Sequence, residues 1–178
     1  QISQGTSGAN SFDIGGAVAS QLTIKLNNID GRYENHDFSE AEIIAKVGLE
    51  LPDGSIEWLN KGTYTAEPGE DSGTSITVNA FDNMAKFDKE YSVSELAYPA
   101  TLGAVVRDAC SCCGVTLAPD SASFENDDIV IKTKPDDTNT FRQVLQWVGQ
   151  IACKYCTINT VGKLSLQWYD TDLLENTE

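Results

Sequence analysis

The chain has 178 residues, of which 40% are apolar and 22% charged, and its 27 acidic side chains outnumber 12 basic ones for a net charge of -15. A chain of this length buries roughly 70% of its unfolded surface without covalent staples, and nothing in the composition suggests low complexity or disorder away from the ends. The acid excess argues against a surface that grips phosphate, which needs clustered Lys and Arg to release counterions, and against docking on an anionic membrane.

The opening QISQGTSGAN contains no methionine, so the sequence is expected to be a piece of a longer protein. No apolar run approaches the roughly eighteen residues of a membrane span, and the first basic residue is Lys25, so neither a span nor a signal peptide is legible. From Phe12 to Phe81 the texture is that of β-structure. AVASQLTIKLNN alternates Val18, Leu22, Ile24 and Leu26 with polar neighbours, the period of a half-buried strand. The paired glycines of IGGAVAS are expected to permit a bulge before that strand. A polar loop, NIDGRYENHDFSEAE, follows. IIAKVGLELPDGSIEWLNKGTYTAEPGED then places a PDG turn between two apolar strands, EPGEDSG reads as a solvated hairpin tip, and TSITVNAFD is a further strand. Strands joined this way imply a sandwich or small barrel. FDNMAKFDKEY reads as a short helical turn with Phe81, Met84, Ala85 and Phe87 partly on one face.

After Tyr91 helix and strand signals mix, so a boundary is expected near residues 90 to 100, dividing the chain into units 1–90 and 91–178. TLGAVVRDACSCCG carries apolar residues at 102, 105, 106, 109, 110 and 113, one helical stripe, with Thr101 as N-cap and Gly114 as the stop. DIVIKTK predicts a strand. TNTFRQVLQWVGQIACKYC repeats the stripe through Phe141, Val144, Leu145, Val148, Ile151, Ala152 and Tyr155, capped by Asn139 or Thr140. YCTINTVGKLSLQWYD predicts two strands around a tight turn near Gly162.

Candidate chemistry is sparse. Of the five cysteines, Cys110 and Cys113 fall on the predicted buried stripe, Cys112 points away, Cys153 lies off the second stripe and Cys156 is expected where that helix ends. The CKYC spacing suits a zinc knuckle, but its partner CSCC lies inside a helix with no histidine near. Reduced thiols are favoured over zinc or a disulfide, and a CxxC at a helix end lacks the dipole that activates thioredoxin-like motifs. The only histidine, His36, sits in a polar loop. No nucleophile elbow, Walker loop or dinucleotide fingerprint is present. NNIDGRYENHD fails as a calcium loop because its first ligand position is Leu26. The acidic pairs Asp127–Asp128 and Asp136–Asp137 could serve as acid and base only if the fold opposed them. Trp58, Trp147 and Trp168 could line a sugar or peptide groove, but each lies within a periodic element where packing accounts for it. No catalytic, cofactor-binding or metal-binding residue is therefore assigned, and no cofactor is expected.

TFRQVLQWVGQIACKYCTINTVGKLSLQWYD resembles a segment of long-tailed bacteriophage tail proteins in which a helix of the type T-x-R-x-V-L-x-x-I-A precedes a hairpin carrying G-K-L. IGGAVASQLTIKLNN, GTYTAEP, TVNAFDNMAKFDKEY and YPATLGAVVRDACSCCGVTL resemble the preceding strands and first helix of the same proteins, so nearly the whole chain is covered. The family is the baseplate-hub or tail-tip group, which includes prophage tail proteins and tail-associated lysins. The resemblance implies an α+β protein: a strand-rich half-barrel that forms a tube with its copies, followed by a small α+β unit with two helices and a C-terminal hairpin. It implies a non-enzymatic part of the virion tail, assembled in the bacterial cytoplasm. The implied partners are other tail and baseplate proteins and a homotrimer in the tail, while the excised chain can be monomeric. DNA would pass through a channel without tight binding, and no membrane is involved. The alternatives are the anchoring part of a tail-associated peptidoglycan hydrolase with its catalytic domain downstream, or a module binding cell-wall carbohydrate. The cysteines depart from the family pattern, and the resemblance assigns them no role.

Overall fold

The computed structural model describes residues 1–3 and 14–168. The stretch 4–13, which holds most of the methionine-less opening and Phe12, and the stretch 169–178, which holds the Tyr169 end of the hairpin motif, lie outside the described residues. The fold is α+β, with a curled half-barrel of antiparallel strands, two α-helices and a C-terminal hairpin.

The sheet runs in the order β1 (Ile2–Ser3), β2 (Gln21–Asn27), β6 (Ser75–Phe81), β4 (Ile56–Ala66), β3 (Glu42–Glu50), with β5 (Glu70–Asp71) also on β6. β2 and β6 pair along their full length, from Gln21 opposite Phe81 to Asn27 opposite Ser75. Alternation does the sorting here: Leu22 of β2, Ile76, Val78 and Ala80 of β6, and Tyr64 and Ala66 of β4 point to one face and form a buried cluster. Tyr33 and Phe38 from the loop after β2 pack against that cluster. Asn28, itself buried, holds this loop by accepting a hydrogen bond from the Tyr33 amide at 2.9 Å. EPGEDSG forms the expected tip, with β5 turned back on β6 and the Ser72 amide donating to the Ser75 carbonyl.

A 3-10 segment, Asn83–Asp88, replaces the predicted helical turn and sends Met84 and Phe87 into a second, larger cluster. Two helices supply most of its walls. α1 (Leu102–Cys113) starts at Thr101, whose hydroxyl accepts from the Ala104 amide, and stops at Gly114 in the left-handed region, φ 64°. α2 (Phe141–Ala152) starts with a reciprocal capping box between Thr140 and Gln143. Its stripe packs Phe141, Val144, Leu145 and Val148 in one cluster with Val105, Val106 and Ala109 of α1, and Ala152 is buried too. Cys153 ends α2 in the left-handed region, so the predicted stripe overruns by a turn: Tyr155 belongs to β9 (Tyr155–Ile158). β9 pairs with β10 (Leu164–Gln167) around a turn in which Gly162 has φ 79°. The strand predicted for DIVIKTK shrinks to β8 (Val130–Ile131), because its partner β7 (Ala100–Thr101) gives way to α1 after two residues.

Two features tie the sheet to the helices. The buried Asp82 carboxylate accepts from the Ser20 amide at 3.0 Å and the Met84 amide at 2.9 Å, linking β2, β6 and the 3-10 segment. The glycines ahead of β2 serve close approach to α2, the finding in place of the predicted bulge. A Cβ on Gly15 would stand 2.5 Å from the Gln146 carbonyl oxygen, and one on Gly149 would stand 2.9 Å from the Gly15 Cα. The contact lets the Gly16 carbonyl accept from the Cys156 amide at 2.8 Å and Ala17 reach the second cluster.

Candidate interaction surface

The groups singled out for chemistry do not converge. Among the described residues, no group of three or more His, Cys, Asp and Glu side chains is arranged to hold a metal ion. His36 is exposed, stacked on Phe38 and edge-on to Tyr33. Asp136 is occupied in a turn, where the Thr138 amide and hydroxyl donate to it at 2.9 and 2.7 Å and hold its carboxyl below the usual range. Asp137 pairs with Lys134 at 2.9 Å. Asp127 closes the turn that begins at Phe124 and accepts, through its carbonyl, from Gly103.

The cysteines behave as packing groups. Cys110 is buried in α1, and burial pushes its thiol up to about 12. Cys113, expected on the buried stripe, is half-buried because α1 ends there, and its thiol is pushed up to about 11. Cys156 lies inside β9 and not at the end of α2. Its thiol donates to the Leu145 carbonyl at 3.5 Å and is also pushed up to about 12 by burial. Cys112 donates to Asp108 at 3.7 Å, and Cys153 is exposed. Raised thiol pKa values disfavour the thiolate that nucleophilic or metal chemistry needs.

Packing does not account for the tryptophans, which corrects the sequence reading. Trp58 is 60% exposed, and Trp147 and Trp168 are each 43% exposed. They lie on three separate elements: β4, α2 and the residue after β10.

Trp58 belongs to the most distinctive surface of the molecule. β4 pairs with β6 only at Thr65 and Ala66, so most of β3 and β4 forms a two-stranded arm. Its base packs on the first cluster through Ile43, Ala45 and Tyr64. A bulge follows, in which Lys61 is the extra residue between Gly62, opposite Ala45, and Asn60, opposite Lys46. Gly62 has φ 152° and lies beneath the Tyr64 ring, where a Cβ would come within 2.8 Å. Beyond the bulge every residue of both strands is exposed. The tip is closed by a hydrogen bond from the Leu51 amide to the Ser55 carbonyl, by Asp53 accepting from the Ser55 amide, and by Gly54 at φ 80°.

The arm is apolar on both faces. Val47 and Leu49 share one face with Leu59, which lies opposite Val47. Ile56 and Trp58 share the other, both lying against Gly48, where a Cβ would meet Ile56 at 2.9 Å and the indole at 3.1 Å. With Ile44 nearer the base, six large apolar side chains are each about half exposed or more. They are divided between the two faces of the ribbon, so they form separate apolar patches and not one contiguous surface. Among the described residues no strand pairs with the outer edge of β3. A two-stranded ribbon is marginal by itself in water, and this one meets no covering layer among the described residues.

A second apolar surface lies between the helices. Leu102 and Val105 of α1, Val144, Trp147, Val148 and Ile151 of α2, and the segment following β8 enclose a hollow of about 210 Å³. Ile151, predicted to be core, stands at its rim with 39% exposure, because the last turn of α2 runs past the end of its cover.

The sequence matches no protein-family profile and no curated protein. Among solved structures, the fold is similar to that of the 43 kDa tail protein of prophage MuSo2 from Shewanella oneidensis, with a TM-score of 0.50 and 14% sequence identity. The similarity covers 85% of this chain and 46% of that one, so the chain spans under half the length of the structure it matches. At this identity the likeness establishes a shared fold, which is that of a prophage tail protein.

Proposed function

We propose that the chain is a structural, non-enzymatic component of a phage or prophage tail, placed at the tail tip or baseplate hub. It assembles there with copies of itself and with other tail proteins around the DNA channel. The observation that carries this reading is the β3–β4 arm, apolar on both faces and open at its edge, on a fold shared with a prophage tail protein. An exposed strand edge offers a row of backbone donors and acceptors to a neighbouring strand, and side chains beside it select the partner.

In this reading the chain works as two units. The half-barrel of residues 1–90 contributes to a tube, with three copies giving a closed ring, and the helical unit of residues 91–178 fixes contacts outside it. The net charge of -15 suits a wall past which DNA moves without being held, since like charge repels phosphate. The protein needs no cofactor, is put together in the bacterial cytoplasm and resides in the virion tail. Among the described residues no helix is long and apolar enough to cross a membrane.

The test is genetic. Deleting residues 46–61 from the gene in an inducible lysogen should leave a soluble protein and yield particles without functional tails, seen by electron microscopy. Normal, infectious tails from that strain would overturn the assignment.

A further inference from the structure

The buried core is split in two, and the split crosses the chain at two adjoining residues. The larger cluster draws on Ala17 ahead of β2 and on Met84, Phe87 and Tyr91 after β6, as well as on both helices and the hairpin. The smaller one is supplied by β2, β4 and β6 alone, and no buried residue belongs to both. The chain therefore leaves the helical body at Ser20 and returns to it at Asp82. These two residues hold each other. The Asp82 amide donates to the Ser20 carbonyl at 3.1 Å, and the Ser20 amide donates back to Asp82 Oδ2 at 3.0 Å, while Oδ1 accepts from the Met84 amide at 2.9 Å. One buried side chain thus fastens the exit to the return and to the first turn of the 3-10 segment. A further link between the two bodies, from Ser3 to Ile14, runs outside the described residues.

Going beyond the role in a tail, and independently of it, we propose that Asp82 is a latch. Once its carboxylate lets go of Ser20, the sheet of residues 21–81 opens as one body while the helical body stays folded. Core size decides which side gives way. Among the described residues six buried side chains form the sheet cluster and eighteen the other, and regions held by fewer buried apolar contacts open at lower free energy.

The 3-10 segment and the residue after it stay with the helices, because they are fastened there independently of Asp82. The Asn83 side chain donates to the Gly162 carbonyl at 2.7 Å, Arg142 of α2 pairs with Asp88, and the Phe141 amide donates to the Lys89 carbonyl at 3.0 Å. Met84 and Phe87 are also buried in the larger cluster. Release of the carboxylate therefore acts on the sheet and spares the segment that carries it.

Hydrogen exchange on the full chain at neutral pH, read peptide by peptide by mass spectrometry, tests the latch. In the wild type, peptides of β2 and β6 should exchange sooner than those of α1 and α2. Asp82→Ala should speed exchange in β2 and β6 at least ~10-fold, as for loss of a buried hydrogen-bonding group, and alter α1 and α2 by less than about 2-fold. Asp82→Asn keeps a carbonyl oxygen for one of the two amides and should give a smaller increase confined to the same strands, so it carries the test where the alanine variant does not fold. If Asp82 serves only to cap the 3-10 segment, both variants will speed exchange in the helices as much as in the sheet, and the latch is overturned. A wild type whose sheet and helices exchange together, variants that exchange like the wild type, or loss of the whole fold in both variants overturns it equally.

Discussion

Side-chain chemistry in this chain is mostly structural, and Asp82 shows how. It is 6% exposed and accepts two backbone hydrogen bonds, yet burial outweighs them, so its carboxyl holds a proton to higher pH than the 3.8 of a free Asp. The sign follows from linkage. The folded state binds that proton more tightly than the unfolded chain, so the contribution to stability is complete below pH 3.8 and is lost as pH rises through the raised value. The exposed Asp30, Asp37, Asp53 and Asp136 work in the opposite sense: their carboxyls are lowered by hydrogen bonds and add stability above 3.8 that is lost on acidification. Comparing wild type with Asp82→Asn isolates the first term, because both proteins share the second. The difference in melting temperature, wild type minus variant, should become more favourable to the wild type as pH falls from 7 towards 4. A difference independent of pH would remove Asp82 as the titrating group. None of this is legible in FDNMAKF, because one of the two amides that Asp82 accepts from belongs to Ser20, sixty-two residues away. Cys156 makes the same point, since only the packing of β9 under α2 separates a buried thiol from a surface one.

Local signals survive folding at the scale of elements, and long-range ones do not. Thr101, Gly114, Thr140 and the PDG turn act where the sequence places them, because caps and tight turns are decided within four or five residues. The arm is the counterexample. IIAKVGLEL reads as a strand bound for a core, and nothing within it tells that its far half meets no covering layer among the described residues. The end of α2 is a further case, and it yields a prediction of two opposite signs four residues apart. Cys153 is exposed with φ 52°, a conformation that costs a residue bearing a Cβ. Cys153→Gly should therefore stabilise the protein by up to ~1 kcal/mol. Gly149→Ala should destabilise it by about 1–3 kcal/mol, because the new Cβ would stand 2.8 Å from the Lys154 carbonyl oxygen and 2.9 Å from the Gly15 Cα. Urea denaturation with an unchanged m-value checks both. Destabilisation by both would mean that the Cys153 side chain holds the helix end by contacts of its own.

For the whole molecule, the acid excess of the composition sets the terms on which copies can assemble. Copies carrying -15 each repel one another, and that repulsion reaches about 30 Å at 0.01 M salt but only about 8 Å at 0.15 M. An assembly built on the arm would be joined by apolar contact, and burial of apolar surface gains little or nothing from low salt. Self-association should therefore tighten, by roughly 3- to 10-fold, as sodium chloride rises across that range. This is opposite to the behaviour of a phosphate-binding protein, whose affinity falls steeply over the same interval. Sedimentation equilibrium across a salt series measures it directly, with Trp58→Glu as the control that removes the apolar contact while adding a further negative charge. An association that weakens with salt would mean that ion pairs hold the copies together, and the exposed apolar residues of the arm would then need a different cover.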